Sequence, residues 1–424
     1  MPIRDLTIII IVVALAAWSL RRPWIGVMNW TWLSIMNPHR YAWGATCYLP
    51  LAAVAGLATL AGLLFSKEKQ WPFKAPPVWW LLVFCIWMTL SWILGRDPIL
   101  DHFLWDKSAK IFLMTFVALS LLSTKQHIVV FTAVNAGSIA LLAAKGGAFT
   151  ILTGGSHRVW GPPGSFIEGN NEFALATIMI IPMLHFLQLQ LKEPWQRHGM
   201  SVLMVLSAVA AIGSYSRGAL IAIGAMSILF WWRSSRKGLI GAVILIGVIA
   251  MLPLMPDTWW NRMETIQTYD VDASAMGRLN AWAVAIGVAK DNFLGAGMSY
   301  LYPDYFVAYG IIEDKAREAH SIYFQILGNH GFVGLGIFLG IWISTYRLAG
   351  RLRRIPRDDP ETRWVSDLGG MLQVSLVAYA TGGAFLSLAY FDLPYNFMVL
   401  TVLANAWMRQ VQSGNQLPKR RRSP

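Results

Sequence analysis

Charge is what this sequence has least of. Lys, Arg, Asp and Glu make up 13% of its 424 residues, about half of the ~25% usual in a soluble globular domain. So few charges cannot clothe a folded surface in water, and lipid is the solvent that suits the chain. Cysteine is scarce as well. Cys47 and Cys85 are the two, and in their apolar segments they read as packed small side chains, not as a disulfide or metal site. There is no His-Glu-x-x-His, no Cys/His cluster, no Walker or dinucleotide glycine pattern and no Gly-x-Ser-x-Gly elbow. These absences argue against a bound metal, a nucleotide and a serine-hydrolase mechanism, and no cofactor is implied.

What is abundant is apolar sequence. Hydrophobic residues are 56% of the chain, and runs of about 20 of them, enough to cross a bilayer, recur throughout. The expected fold is an all-α polytopic membrane protein of about twelve transmembrane helices, near 4–20, 42–65, 77–94, 108–123, 127–144, 171–190, 199–214, 217–232, 238–255, 321–346, 365–390 and 392–409. Residues 24–37 are too short and too polar to count and read as an interfacial segment. The first apolar run is followed by Arg21-Arg22-Pro23 and Trp24, not by a small-residue cleavage site, so it reads as a retained anchor.

Much of the net charge of +13 falls in short loops between spans, so it marks orientation and not nucleic acid. "YRLAGRLRRIPRDDPETR" (346–363), "RSSRKG" (233–238), "KEKQWPFK" (67–74) and the terminal "KRRR" alternate correctly to lie on one face, the cytoplasm. Both termini are then cytoplasmic. The organisation expected is spans one to nine over 1–255 with an external loop at 145–170, a long helix-bearing periplasmic loop at 256–320, spans ten to twelve over 321–410, and a basic cytoplasmic tail at 411–424.

One arginine tests that scheme. From Met200 to Trp232 the only charge is Arg217, in "SYSRGAL". A single helix of that length would reach about 50 Å against a hydrocarbon core of about 30 Å. The run must therefore leave and return, with "SYSRG" as the outer turn and Gly213 and Gly218 loosening its backbone. Three more polar elements fall on the same face. "RVWGPPGSFIEGNNE" (158–172) supplies Glu168 and Asn171. "DASAMGRLNAWAVAIGVAKDNF" (272–293) reads as an amphipathic helix, capped by Asp272 or Ser274, with Arg278 in an early turn. "EDKAREAHSIYFQILGNHG" (313–331) supplies Arg317, Glu318, His320 and His330.

Each has an ordinary explanation when taken alone: a snorkelling anchor, a solvated helix face, a tight connection, an interfacial histidine. Their coincidence on one side is what points to chemistry. Two arginines, one near a helix N-terminus, suit a phosphate or diphosphate. A neutral imidazole can take a proton near pH 7. Ser216 is a weak nucleophile candidate with no base near it in sequence. With no nucleotide site, the energy must arrive in the substrate, and a lipid-linked diphosphate sugar fits.

The stretches "SYSRGAL", "AMGRLNAW" and "HSIYFQILGNHGFVGLGIF" resemble the O-antigen ligase and polymerase superfamily of bacterial inner-membrane glycosyltransferases. "RRPWIGVMNWTWLSIMNPHR" and "RVWGPPGSFIEGNNEFAL" look like its branch of O-glycosylation ligases associated with exosortase systems. The resemblance covers about residues 5–410. It implies transfer of a glycan from undecaprenyl diphosphate to a hydroxyl in the periplasm without metal or nucleotide: to the lipid A-core by an O-antigen ligase, to protein or a growing polymer by relatives. By the same resemblance, Arg217 and Arg278 match the diphosphate-binding arginines and His320 the histidine acting on the acceptor. Arg317, Glu318, Glu168 and Asn171 are secondary candidates for orienting that histidine or binding sugar. One departure stands out. Where relatives often carry an acidic residue before the glycine pair, this chain has "GNHGFVG", hence His330, about 15 Å deeper if the helix is continuous. His320 is favoured because a bulky acceptor reaches it. A flippase is the rival class, and it would favour ionisable residues and broken helices near the midplane.

Overall fold

The computed structural model describes residues 3–233 apart from 43, 68 and 74, then 273–312 and 315–414, with isolated positions between 237 and 260. The expected ninth span at 238–255, Asp272 and the "KRRR" tail lie largely or wholly outside the described residues. Among those described, all regular structure is helical: α1 (Ile3–Ser19), α2 (Pro23–Met36), α3 (Leu51–Phe65), α4 (Pro76–Ile93), α5 (Pro98–Leu121), α6 (Lys125–Leu152), α7 (Asn170–Gln190), α8 (Pro194–Ile212), α9 (Arg217–Arg233), α10 (Ala273–Asp291), α11 (Pro303–Tyr309), α12 (Ile322–Arg353), α13 (Arg363–Gly382) and α14 (Asp392–Gln412). Several open on proline, whose missing N–H is no loss in a first turn: Pro23, Pro76, Pro98, Pro194 and Pro303. Asp97 and Thr124 cap α5 and α6 by accepting first-turn N–H groups.

Five of the described helices (α4, α6, α7, α12, and α13 with its 3-10 extension to Phe385) are long and apolar enough to cross a membrane, and α3 is a shorter apolar helix. The chain is a multi-pass helical membrane protein. α14 falls outside that group for a physical reason. It stands at the centre, against α12, α6, α13, α5 and α2, and is buried from Asp392 to Leu403. A helix screened from lipid by its neighbours can carry Asn396, whose amide donates to Asn135 Oδ1 on α6 at 2.7 Å.

Several boundaries move from their expected places. α3 begins only after Pro50, because Pro38–Tyr41 and Ala45–Cys47 form short 3-10 turns. α6 runs two turns beyond 144, to Leu152, so the expected loop at 145–170 starts as helix. α13 stops at Gly382, short of 390, and the chain turns through Gly383–Phe385 into extended backbone at Leu386. α2 is largely enclosed by its neighbours. Nine of its 14 residues are buried, and it packs on α1, α3, α6 and α5, although at about 21 Å it is too short to span alone. Cys47 and Cys85 are free thiols.

The largest departure is in α12, which is not continuous. At Gly331 the backbone turns to φ 68°, ψ −175°, a conformation that costs a side chain dearly. The break strands carbonyls that a helix would use, and the segment after α10 takes them up: Ala296 N donates to Gly328 O and Gly297 N to Asn329 O, both at 3.0 Å. Asn329 returns a bond to Met298 O at 2.5 Å. On the other side, Asp101 Oδ2 accepts from Met298 N and Ser299 N. Irregular backbone among apolar helices is tolerable only when paired in this way. A Cβ on Gly331 would run into the Phe293 carbonyl. Gly331→Ala is therefore expected to destabilise the protein by about 1–3 kcal/mol, read as a lowered Tm in detergent. An unchanged Tm would mean that the break is not built into the fold.

Candidate active site

The N-terminal ends of α7, α9 and α12 and the C-terminal ends of α8 and α13 meet at one end of the bundle. Tyr323 donates its hydroxyl to Ala380 O at 2.8 Å, and Gln325 Oε1 accepts from Ala389 N at 3.1 Å. The Gly213–Ser216 turn joins them there. Asn170, the first residue of α7, donates from its side chain to Ser214 O at 2.7 Å, and Val159 N donates to Gly213 O at 3.3 Å. The backbone twist expected of the glycines is made elsewhere. Tyr215 adopts φ 60°, held by burial and by its hydroxyl donating to Gly155 O. Gly213 keeps an ordinary helical φ, and its role is close approach, since a Cβ there would collide with Thr150. Ser216 Oγ accepts from Ala219 N at 3.2 Å, so it caps α9 and is spent on structure. Arg217 follows as the first residue of that helix, half-buried.

Arg278 arrives on α10, near the start as expected; Ser274 lies inside the helix's first turn. α10 buries Ala281, Val284, Ala285 and Val288. Two contacts fix it over the start of α12: Trp282 Nε1 donates to Ala319 O at 2.8 Å, and the Trp282 ring stacks on Phe324 at 4.6 Å and 11°. A third ties it to the chain after α11, where Asn280 Oδ1 accepts from Ile311 N and Ile312 N. The residue between Ala319 and Ser321 is His320, half-buried and in a left-handed conformation, φ 43°.

Arg278, Glu318 and His320 lie within one another's electrostatic reach. Burial lowers the His320 pKa below 6.5, the Arg278 charge lowers it further, and Glu318 partly opposes both. At neutral pH the imidazole is thus uncharged and able to accept a proton. Glu172, in the first turn of α7, senses both Arg278 and Glu318. Buried Tyr300 also faces Glu318, and burial together with that carboxylate raises its pKa. The start of α9 adjoins the start of α12: Gly218, next to Arg217, lies against Phe385, and Gly383 against Ile322, two residues after His320.

The other sequence candidates separate. Glu168 is occupied in bracing its own loop, accepting from Gly164 N at 2.7 Å. Asn171 is half-buried beside Glu172, and Arg317 is exposed. His330 is fully buried, its Nε2 2.7 Å from the Tyr390 hydroxyl and its ring edge-on to Phe84, beyond any sugar's reach. Glu172 and Tyr300 were not singled out from sequence. An acidic residue in a first turn looks like ordinary dipole compensation, and nothing local marks a tyrosine eighteen residues upstream of Glu318 as its neighbour. Among the described residues no three His, Cys, Asp or Glu side chains form a metal-binding group. An acidic pair, Asp270 and Asp272, precedes α10 but lies outside the described residues.

Residues 202–339, which include Arg217, Arg278 and His320, match the family described as O-antigen ligase. That match supports membership of the O-antigen ligase superfamily. It also supports ligase- or polymerase-type glycosyl transfer, with a lipid-linked glycan and an acceptor as substrates in general. Residues 3–192, which include Glu168, Asn171 and Glu172, match a family of unknown function. No curated protein matches the chain.

The electrostatics of the cluster have a direct test in ring resonances of histidine-labelled protein in micelles. Arg278→Gln is expected to raise the His320 pKa towards 6.5, and Glu318→Gln to lower it further. Shifts of one sign, or none, would dissolve the cluster.

Proposed function

We propose that this protein is an O-antigen ligase, transferring a glycan from undecaprenyl diphosphate to a hydroxyl of the lipid A-core without a metal. It crosses the bacterial inner membrane twelve times. Both termini are cytoplasmic and residues 256–320 form a periplasmic subdomain. The observation that carries the reading is the grouping of Arg278, His320, Glu318 and Glu172 beside the Arg217 turn. It also supports the sidedness, because the segments that meet there are those the arginine and lysine distribution assigns to the outside.

In the reaction, the neutral His320 imidazole takes the proton of the acceptor hydroxyl as its oxygen bonds to the anomeric carbon. The bond from that carbon to the diphosphate breaks and its electron pair leaves with undecaprenyl diphosphate. Attack and departure are in line, so the anomeric configuration inverts. Arg217 and Arg278 hold the diphosphate and offset its growing charge, a task for fixed planar donors worth about 3–4 kcal/mol each. Glu172 and Glu318 orient Arg278 and His320. The polyprenyl tail follows the groove of about 380 Å³ between α12 and α13, which starts at Ile322 and Tyr323 and continues past Trp342.

Purified protein with lipid-linked donor and lipid A-core acceptor, in chelator, is the test. Wild type is expected to form product. His320→Ala and Arg217→Ala should lose at least about a hundredfold in kcat/KM, and Arg278→Lys about tenfold or more, because an ammonium lacks the planar fork. The acid limb of kcat/KM should lie below pH 6.5, since protonation of His320 removes the base and its pKa is lowered. Transfer to protein or to growing polymer in place of lipid A-core would reassign the acceptor, and no product with any acceptor would favour a flippase.

A further inference from the structure

The opposite end of the bundle holds a cavity of about 600 Å³ that the proposed transfer does not use. It lies between the C-terminal ends of α7 and α9, the end of α12 and the first turns of α13. Its lining carries four guanidinium groups, Arg233, Arg353, Arg357 and Arg363, against one carboxylate, Asp367. Asp367 is shared between Arg357 at 3.0 Å and Arg363 at 3.9 Å. Asp359, in the same connection, is occupied in its own turn with Glu361 N and Thr362 Oγ1. Among the described residues no carboxylate pairs with Arg233 or Arg353.

Those two arginines sit deeper. Arg233 donates from Nη2 to the Tyr346 hydroxyl at 3.1 Å, while its Nη1 is buried with no hydrogen-bond partner, as is Nε of Arg353. They also repel each other. Orientation by positive charge explains arginines at a rim in water. It does not explain buried, unmatched donors on two arginines from separate segments that line one cavity, where leaving them unbonded is costly.

We propose that this cavity is a phosphate site, filled by the headgroup of an anionic phospholipid from the adjoining leaflet. Planar guanidinium groups match phosphate oxygens two at a time, and basic pockets between membrane helices suit anionic headgroups. Leu189, Phe230, Ile355, Met371 and Val374 complete the wall, so an apolar surface adjoins the charged one, as a lipid requires and a free anion does not. The headgroup ties together the ends of α7, α9, α12 and α13, the helices whose other ends or adjoining turns hold Glu172, Arg217, His320 and Phe385.

The site is tested on full-length protein, delipidated in neutral detergent, by adding phosphatidylglycerol, phosphatidylcholine or inorganic phosphate. Tm and lipid retention in native mass spectrometry are the readouts. Phosphatidylglycerol is expected to raise Tm and to be retained, with little effect from the other two. Arg233→Gln combined with Arg353→Gln should weaken retention about tenfold or more, whereas Arg351→Gln, exposed and outside the cavity, should not. If the double variant fails to fold, Arg233→Lys with Arg353→Lys keeps the charge but loses the fork, and a weakened retention there supports the site equally. Stabilisation by inorganic phosphate matching that by phosphatidylglycerol would overturn the lipid as occupant. Equal retention of both lipids, or retention unchanged in the folded variants, would overturn the site itself.

Discussion

The break in α12 at Gly331 governs the arrangement of everything beyond it. An uninterrupted helix would satisfy its own carbonyls and have no use for the chain between α10 and α11. Because Gly328 and Asn329 lack helical partners, that chain is drawn in, and Ala296 and Gly297 supply the missing donors. Asp101 closes the far side by binding Met298 and Ser299 through their N–H groups. A segment that would otherwise lie loosely on the membrane becomes part of the bundle, and α10 is carried with it. Arg278 and His320, 42 residues apart in sequence, are neighbours through this docking and through the Trp282 bond to Ala319.

Sparse charge makes each charged group count. At the His320 end, Glu172 senses both Arg278 and Glu318, and burial together with the Arg278 charge keeps the imidazole neutral against the pull of Glu318. At the other end the arginines outnumber carboxylates around a cavity. The two ends thus have opposite electrostatic characters despite a shared set of helices. One is balanced around a titratable ring; the other is left cationic.

Much of the fold was legible because lipid imposes a simple requirement on exposed helices: length and apolarity. α4, α6, α7, α12 and α13 meet it, and their sequences say so. α14 is harder to justify on that basis, since shielding by five neighbours relaxes the requirement and admits Asp392 and Asn396. Arg278 and His320 were legible as unusual polar residues in the right order. Glu172 was hidden by the ordinary habit of acidic residues in first helical turns, and the left-handed Tyr215 by the expectation that glycine takes such conformations. Neither is a property of local sequence. Both follow from partners 60 to 146 residues away, Gly155 for the tyrosine and Arg278 and Glu318 for the glutamate.

The two histidines of α12 and its approach show how burial separates like residues into different tasks. His330 sits within aromatic walls made by Phe84 and Tyr390, with Trp87 bonded to its carbonyl at 2.9 Å, directly before the break. The ring serves as a hydrogen-bond partner to the Tyr390 hydroxyl and helps to fix the kink. His320 is held in a left-handed backbone conformation that costs about 1–3 kcal/mol, and that cost is met by its flanks: Ala319 is tied to Trp282 and Ser321 O to Gln325 N. Strain retained at one partly exposed, electrostatically tuned imidazole, while its buried counterpart keeps a helical backbone just before the break, is what distinguishes a ring positioned to react from one positioned to pack.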